Sequence, residues 1–189
     1  MYVYFNGSVN ASYDYTNSRS YLTMIGVELS PLLPMPEPIN NTYIIDFKNN
    51  IQYSISGDGT CDKRSVDQNM TKECVNDGDI LQSSGRVGEG IMTDTYIMTI
   101  SENFNNVRGT VQRGSCLPVH MAYLIGSENP DSGSIVSLDV LSIVPGIKNP
   151  GIFDPPPSCR KQTQKERKIR SFLSESLLKQ LFHKRMLFG

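Results

Sequence analysis

Apolar and polar side chains alternate with a period of two along most of the first 144 residues. The stretches TYIIDFKN and IQYSIS each place three apolar side chains at alternate positions, namely Tyr43, Ile45 and Phe47, then Ile51, Tyr53 and Ile55. A strand directs successive side chains to opposite faces of a sheet, so this pattern predicts strands with one buried face each. Between the two stretches, Asn49 and Asn50 predict a tight hairpin turn, because asparagine tolerates positive φ.

Further segments with strand character surround this hairpin, and they span residues 2–15, 20–29, 91–100, 107–112, 118–126 and 134–144. No segment before Cys159 shows the periodicity of a helix. Repeated alternation with one polar face predicts an all-β domain of antiparallel sheets. Two sheets stacked face to face, or one strongly curved sheet, would bury the apolar faces.

Alternation does not distinguish a filled core from a pocket, because both place apolar side chains on one face. The two interpretations are a plain core and a cavity that takes a hydrophobic small molecule or lipid. The candidate pocket residues are Tyr43, Ile45, Phe47, Ile51, Tyr53, Ile55, Val136, Leu138 and Val140.

The charge of the chain is divided between a body and a tail. From Arg160 onward nine Lys or Arg stand against two Glu, so residues 160–189 carry +7 and residues 1–159 carry −8. The acidic body argues against binding to nucleic acid, which needs clustered basic residues. The tail predicts a basic amphipathic helix that docks on the body, extends into solvent or contacts an anionic membrane surface. The sequence contains no run of 18 apolar residues, so it does not predict a transmembrane segment.

Four cysteines and four sequons bear on the cellular location. The cysteines, Cys61, Cys74, Cys116 and Cys159, form no CxxC motif, so a zinc site is not predicted. They are either free thiols of a cytosolic protein or disulfides of a secreted one, with three connectivities open. The sequons at Asn6, Asn10, Asn40 and Asn69 favour a secreted glycoprotein.

Motifs for catalysis are missing from the sequence, which contains no GxSxG, HExxH or Gly-rich phosphate loop. The segment CLPVH places Cys116 and His120 four residues apart, too far along a strand to work as a pair. The sequence therefore predicts that the protein is not an enzyme. The sequence predicts no cofactor. The alternative is a Ca²⁺ ion, because carboxylates on loops suit that ion. The candidate ligands are Asp58, Asp62, Asp77 and Asp79.

The segment LSIVPGIKNPGIFDPPPSC, which ends at Cys159, resembles the C-terminal signature of ependymin-related proteins. The segments YIIDFKNNIQYSISGDGTC and GSCLPVHMAYLI also resemble parts of that family, in the same order. The resemblance implies a secreted or lysosomal disulfide-bonded glycoprotein with two stacked sheets around a hydrophobic pocket, similar to bacterial lipoprotein carriers. It implies lipid binding, with calcium binding and cell-matrix adhesion as the alternative function, and a homodimer.

By position, the resemblance pairs Cys61 with Cys159, the latter held in place by the preceding prolines. Cys116 corresponds to a family cysteine whose partner lies in an N-terminal segment that this sequence lacks, along with the signal peptide. Cys116 is therefore expected either to stay unpaired or to pair with Cys74. The predicted organisation is an ependymin-like β domain over residues 1–159 and a basic tail over residues 160–189 that departs from the family.

Overall fold

The computed structural model describes residues 4–29, 35–66, 69–70, 75, 78–98, 107–126, 133–144 and 146–160. These residues form two antiparallel β-sheets of five strands each, followed by two short 3-10 turns. The predicted all-β class with antiparallel sheets is therefore confirmed. The helix predicted for the tail lies outside the described residues.

Sheet 1 is a meander in which each strand pairs with the next one along the chain. Its strands are β1 (Tyr4–Asp14), β2 (Arg19–Leu29), β3 (Glu37–Asp46), β4 (Ile51–Ser56) and β5 (Cys61–Ser65). The register runs unbroken from β1 to β5. Residues that pair directly across these strands therefore place their side chains on the same face.

Sheet 2 is a second meander, with the order β10-β9-β8-β7-β6. Its strands are β6 (Ile80–Val87), β7 (Ile91–Met98), β8 (Val107–Gln112), β9 (Pro118–Gly126) and β10 (Gly133–Asp139). Register shifts occur between Leu81 and Ser83 and between Thr110 and Val111. The two sheets meet where β1 and β10 contact each other.

Three features of the strands differ from the sequence-based prediction. β5 and β6 were not predicted, because CDKRS and ILQSSGRV lack alternation of apolar and polar residues. β10 ends at Asp139, whereas the alternating pattern predicted a strand as far as residue 144. Backbone pairing with β9 decides where β10 ends, and alternation alone does not report pairing.

Two hairpin turns of sheet 1 share one chemistry, encoded by DYTNS and DFKNN. Asp14 accepts hydrogen bonds from the backbone and side chain of Asn17, and Asp46 accepts the same pair from Asn49. The last residue of each turn has positive φ, 53° at Ser18 and 55° at Asn50. Both turns contain four residues, whereas the sequence predicted a two-residue turn at Asn49-Asn50.

Alternate residues of sheet 1 face the protein interior or its exterior. Ser20, Leu22 and Met24 lie on one side of β2 and are at most 1% exposed. Ile25, the next residue, points to the other side and is 54% exposed. A sheet face in contact with water would not reach such low exposure, so the side of Leu22 is covered by other parts of the protein. We call this side the inner face and the side of Ile25 the outer face.

Residues 146–160, which we call the C-terminal strap, cross the outer face. The strap contains the 3-10 turns Pro150–Phe153 and Pro157–Arg160, the first capped by the Asn149 side chain. The ring of buried Phe153 lies 4.6 Å from the guanidinium carbon of Arg19 in β2. The strap ends at β5, where Cys159 is bonded to Cys61. Ile44 of β3, a strand between β2 and β5, also lies on the outer face and is buried.

Candidate functional site

The inner face of sheet 1 is organised in rows of side chains, of which the first two run across all five strands and the third across four. The first row lies nearest the hairpin turns and consists of Tyr13, Ser20, Ile45, Gln52 and Arg64. The second row consists of Ala11, Leu22, Tyr43, Ser54 and Asp62. The third row consists of Val9, Met24, Asn41 and Ser56. We call these three rows the inner site.

Apolar and polar groups are both buried within the inner site. Leu22 and Ile45 are fully buried, and Tyr43 is only 4% exposed. Gln52 is also buried, and it uses both ends of its amide. Its nitrogen donates to Ser54 Oγ at 3.3 Å, and its oxygen accepts a hydrogen bond from Arg64 Nη2 at 3.1 Å. The inner site is thus an apolar surface with a polar margin on β4 and β5.

The predicted pocket residues of the first hairpin do not share one face. Tyr43 pairs with Ser54 and Ile45 pairs with Gln52, so both lie in the inner site opposite polar residues of β4. The apolar residues of β4, Ile51, Tyr53 and Ile55, therefore lie on the outer face. The reason is parity, because a turn with an even number of residues places odd positions of one strand opposite even positions of the next.

The remaining pocket candidates lie elsewhere. Phe47 belongs to the turn after β3 and is buried against Ile45 and Val66, with Met70 packed beside them. Val140 follows β10, and its backbone N–H donates to the carbonyl oxygen of Val119 at 2.9 Å. The backbones of Val136 and Leu138 pair with Tyr123 and Met121, while the side chains of these two candidates lie outside the described part of the structure.

The cysteines form the predicted covalent link between strap and sheet. Cys61 and Cys159 are disulfide-bonded with their Cα atoms 5.2 Å apart, and both are buried. Cys116 is also disulfide-bonded, so the alternative that it stays unpaired is wrong. Its proposed partner, Cys74, lies outside the described residues. Because its sulfur is committed to a disulfide, Cys116 is not available as a nucleophile for His120.

Comparison with known proteins identifies the family. The family model for ependymin matches residues 37–159, which is more than half of the chain. The chain belongs to the ependymin family. The match begins at the first residue of β3, includes all of sheet 2, and ends at the strap cysteine. No curated protein sequence matches the chain significantly.

The four sequons of this ependymin-family chain are accessible. The side chains of Asn6, Asn10, Asn40 and Asn69 are all exposed. Three of them lie on the outer face of sheet 1, since they pair with Val27, Thr23 and Ile25. These positions keep any attached glycan on the side of the sheet opposite to the inner site.

The predicted calcium ligands do not come together in the part of the chain that the structure describes. Asp58 accepts a hydrogen bond from the backbone of Thr60 at 2.8 Å and so shapes the turn after β4. Asp62 lies in the inner site on β5, and Asp79 precedes β6. Asp77 lies outside the described residues. Within the described ranges, three or more acidic, His or Cys side chains nowhere form a group suited to a metal ion.

Two polar clusters of sheet 2 were missed by sequence reasoning. Asp94 accepts hydrogen bonds from Arg113, at 2.9 Å from Nε, and from Ser84, at 2.7 Å. These bonds, led by that of Arg113, lower the pKa of Asp94 to about 2. On the neighbouring strands, His120 Nδ1 lies 2.6 Å from a carboxylate oxygen of Asp139. Both clusters join residues that are distant in sequence, so no short sequence motif predicts them.

No helix in the described ranges has the length and hydrophobicity needed to cross a membrane. The basic tail beyond Arg160 lies outside those ranges, so its predicted contact with an anionic surface stays a prediction.

Proposed function

We propose that this ependymin-family chain is a secreted glycoprotein that binds a lipid or another hydrophobic molecule at the inner site. The observation that carries the proposal is the mixture of fully buried apolar side chains with buried Ser20 and Gln52 on one face. Filled cores are built mainly from apolar residues, whereas ligand sites combine an apolar lining with a few polar groups.

The binding energy in this proposal comes from burial of hydrocarbon. Each CH₂ group moved from water into an apolar site contributes about 0.8 kcal/mol. A twelve-carbon chain would therefore contribute roughly 10 kcal/mol before the entropic losses of association are subtracted. Leu22, Met24, Tyr43 and Ile45 are the apolar side chains of the inner site that such a chain would contact after it displaces the parts of the protein that cover them in this structure.

Secretion and glycosylation are supported by three features of the chain. Family membership favours a secreted glycoprotein. The Cys61–Cys159 disulfide is typical of proteins from oxidising compartments. All four sequons are exposed, so an oligosaccharyltransferase could reach them in the folded protein. Lysosomal residence and calcium-dependent matrix adhesion stay predictions of the family resemblance.

The proposal is a binding function rather than a catalytic one. The inner site offers burial and hydrogen bonding, and its buried residues include no nucleophile paired with a base. His120, the one histidine in the described ranges, lies in sheet 2 and pairs with Asp139. Turnover of any substrate by protein freed of bound lipid would contradict this part of the proposal.

The first test is native mass spectrometry of protein secreted by a eukaryotic host, followed by solvent extraction and identification of the lipid. We expect a hydrophobic molecule in stoichiometric amount. An empty protein that also takes up no fluorescent lipid analogue would contradict the proposed function.

The second test places one polar change on each face of β2. Met24→Gln puts an amide into the apolar part of the inner site, and we expect it to weaken uptake of a fluorescent lipid analogue by about tenfold. Ile25→Gln makes a similar change at the exposed neighbour on the outer face and should leave affinity unchanged. Thermal melting establishes that both variants are folded. If Met24→Gln and wild type bind the lipid analogue with equal affinity, the inner site is not where the lipid binds.

A further inference from the structure

The hairpin between β6 and β7 ends in apolar side chains that are exposed on both of its faces. Val87 and Ile91 pair directly across the two strands and share one face, while Met92 shares the opposite face with Arg86. Val87 is 47% exposed, Ile91 46% and Met92 37%. We call these three apolar residues, together with Arg86 and the turn at residues 88–90, the hairpin tip.

The end of the hairpin tip is not enclosed by any other part of the described structure. A Cβ atom added at Gly88 or at Gly90 would meet no atom of the described residues within 4 Å. At its base the hairpin is fixed, because the backbone N–H of Arg113 donates to the carbonyl oxygen of Met92 at 2.9 Å. The tip is therefore attached to sheet 2 at its base and surrounded by solvent at its end.

The two apolar faces indicate what kind of partner would cover the tip. A strand that covers a core leaves polar side chains on its solvent face. The hairpin tip has no such polar face, so a flat protein surface placed against one side would leave the apolar side chains of the other side in water. A lipid bilayer surrounds an inserted loop and removes both faces from water together.

The length of the tip suits shallow insertion. Two residues separate the cross-strand pair Val87–Ile91 from the middle of the turn at Glu89, which is about 7 Å along a strand. Apolar groups that lie in the boundary between head groups and acyl chains are buried by about 5–10 Å. The apolar pair can thus reach this boundary while the base of the hairpin stays outside the membrane.

The charges of the tip favour a zwitterionic membrane surface over an anionic one. Between residues 86 and 92 the only charged side chains are Arg86 and Glu89, and both are exposed. A phosphocholine head group offers a phosphate to Arg86 and a quaternary ammonium to Glu89. An anionic surface would attract Arg86 but repel Glu89, and attraction to such a surface normally needs several clustered cations.

We propose that the hairpin tip inserts into the head-group region of a zwitterionic phospholipid bilayer and docks the protein on the membrane. Burial of Val87, Ile91 and Met92 supplies the affinity, while Arg86 and Glu89 interact with the head groups. The docking site lies on sheet 2 and is separate from the inner site of sheet 1. The inference therefore goes beyond the proposed function and does not depend on which molecule the inner site binds.

The chain contains no tryptophan, so one tryptophan placed at the tip reports on its surroundings without background. We expect the emission of Ile91→Trp to shift to shorter wavelength with vesicles of dioleoylphosphatidylcholine, and to be quenched by phosphatidylcholine brominated near the head group. Ile25→Trp, at an exposed position on the outer face of sheet 1, is the control and should show neither change. No shift in Ile91→Trp, or an equal shift in both variants, would overturn the inference.

Vesicle flotation of the full chain measures the affinity. Ile91→Ser combined with Met92→Ser should weaken binding to phosphatidylcholine vesicles about tenfold, because two apolar side chains no longer enter the bilayer. Ile25→Ser combined with Leu29→Ser removes two apolar side chains of similar exposure from the outer face and should leave binding unchanged. Thermal melting establishes that both double variants are folded.

Three results of the flotation experiment would also overturn the inference. If both double variants bind like wild type, the tip is not the docking element. If wild type binds only when phosphatidylserine replaces part of the phosphatidylcholine, membrane contact belongs to the basic residues 160–189. If the tip variant has a lower mass in light scattering and unchanged vesicle binding, the tip contacts a second copy of the chain.

The proposed function is tested separately by uptake of a fluorescent lipid analogue supplied as a monomer in solution. We expect Ile91→Ser combined with Met92→Ser to take up the analogue as wild type does, because the inner site is unchanged. A loss of uptake in the tip variant would contradict a docking site separate from the inner site. Absence of uptake by wild type would contradict the proposed function and leave the docking site standing.

Discussion

At the scale of single residues, hydrogen bonding decides the charge state of Asp14 and Asp94, the two buried aspartates in the described part of the chain. Burial acts to raise the pKa of Asp14, but hydrogen bonds from Asn17 and Arg19 outweigh it and lower that pKa below its usual value. Asp94 is held by Arg113 and Ser84, which lower its pKa to about 2. Through these bonds Asp94 links β6 and β7 to the turn after β8, so its ionisation is coupled to the stability of sheet 2.

A lowered pKa in the folded state stabilises the protein at any pH above the pKa of the unfolded state, about 4 for Asp. This contribution is lost as the pH falls from about 4 towards 2, the folded pKa of Asp94. We expect Asp94→Asn to melt at a lower temperature than wild type at pH 7. The difference between the two melting temperatures should shrink steadily across this acidic range.

Melting followed by circular dichroism at a series of pH values measures this effect. Glu89→Gln serves as the control for loss of one carboxylate, because Glu89 is exposed in the turn after β6. A difference between Asp94→Asn and wild type that stays constant down to pH 2 would show that the charge of Asp94 does not stabilise the fold.

At the scale of secondary-structure elements, β6 is the strand with the most unusual surface. It is the edge strand of sheet 2, and all eight of its residues are exposed. Ile80, Leu81 and Val87 are apolar and each is at least 47% exposed. Exposed apolar edges readily pair with another strand. β6 could pair antiparallel with β6 of a second copy, with the two-fold axis between Ser83 and Ser84. Ile80 of each copy would then lie opposite Val87 of the other.

We therefore expect the homodimer predicted by the family resemblance to form through β6. Leu81→Lys combined with Val87→Lys should shift the protein towards monomer in size-exclusion chromatography with light scattering, because charged residues on an edge oppose pairing. Ile25→Lys, an exposed apolar position on the outer face of sheet 1, is the control and should not change the mass. A wild type that is monomeric at high concentration would contradict a dimer through β6.

At the scale of the whole molecule, one disulfide closes most of the chain into a loop. Cys61 and Cys159 are separated by 98 residues, and the loop contains all of sheet 2. The strap contains two 3-10 turns and no strand within its described residues, so we expect it to depend on this bond and on the packing of Phe153 to stay on the outer face. The disulfide thus joins the end of the family-matched region to sheet 1.

Removal of this link by Cys61→Ser with Cys159→Ser should lower the free energy of unfolding by about 4 kcal/mol, on the chain-entropy account of a loop this long. Guanidinium denaturation measures the loss, with non-reduced wild type as the reference. The strap of the variant should also be cleaved faster in limited proteolysis. Unchanged stability together with an unchanged cleavage rate would mean that packing alone holds the strap in place.

Much of the fold was predictable because most strands carry their own signal. Strand character along β2, β3, β4 and β9 is a property of each segment alone, and in β2 the buried side is that of Leu22 and Met24. β5 and β6 carry no such signal, since β5 has one buried apolar residue and β6 is exposed on both sides. The bonded pair Cys61–Cys159 was predicted through the resemblance carried by the proline-rich segment rather than through any property of cysteine spacing.

The sequence by itself determined the antiparallel β class, the positions of the turns to within a few residues, and the family to which the chain belongs. Only the tertiary structure decided which apolar residues face inward. Four-residue turns set the register, so Tyr43 and Ile45 entered the inner site while Ile51, Tyr53 and Ile55 went to the outer face. The physical reason is that alternation is a local property, whereas the shared face of two strands depends on their relative register, which is a property of the pair.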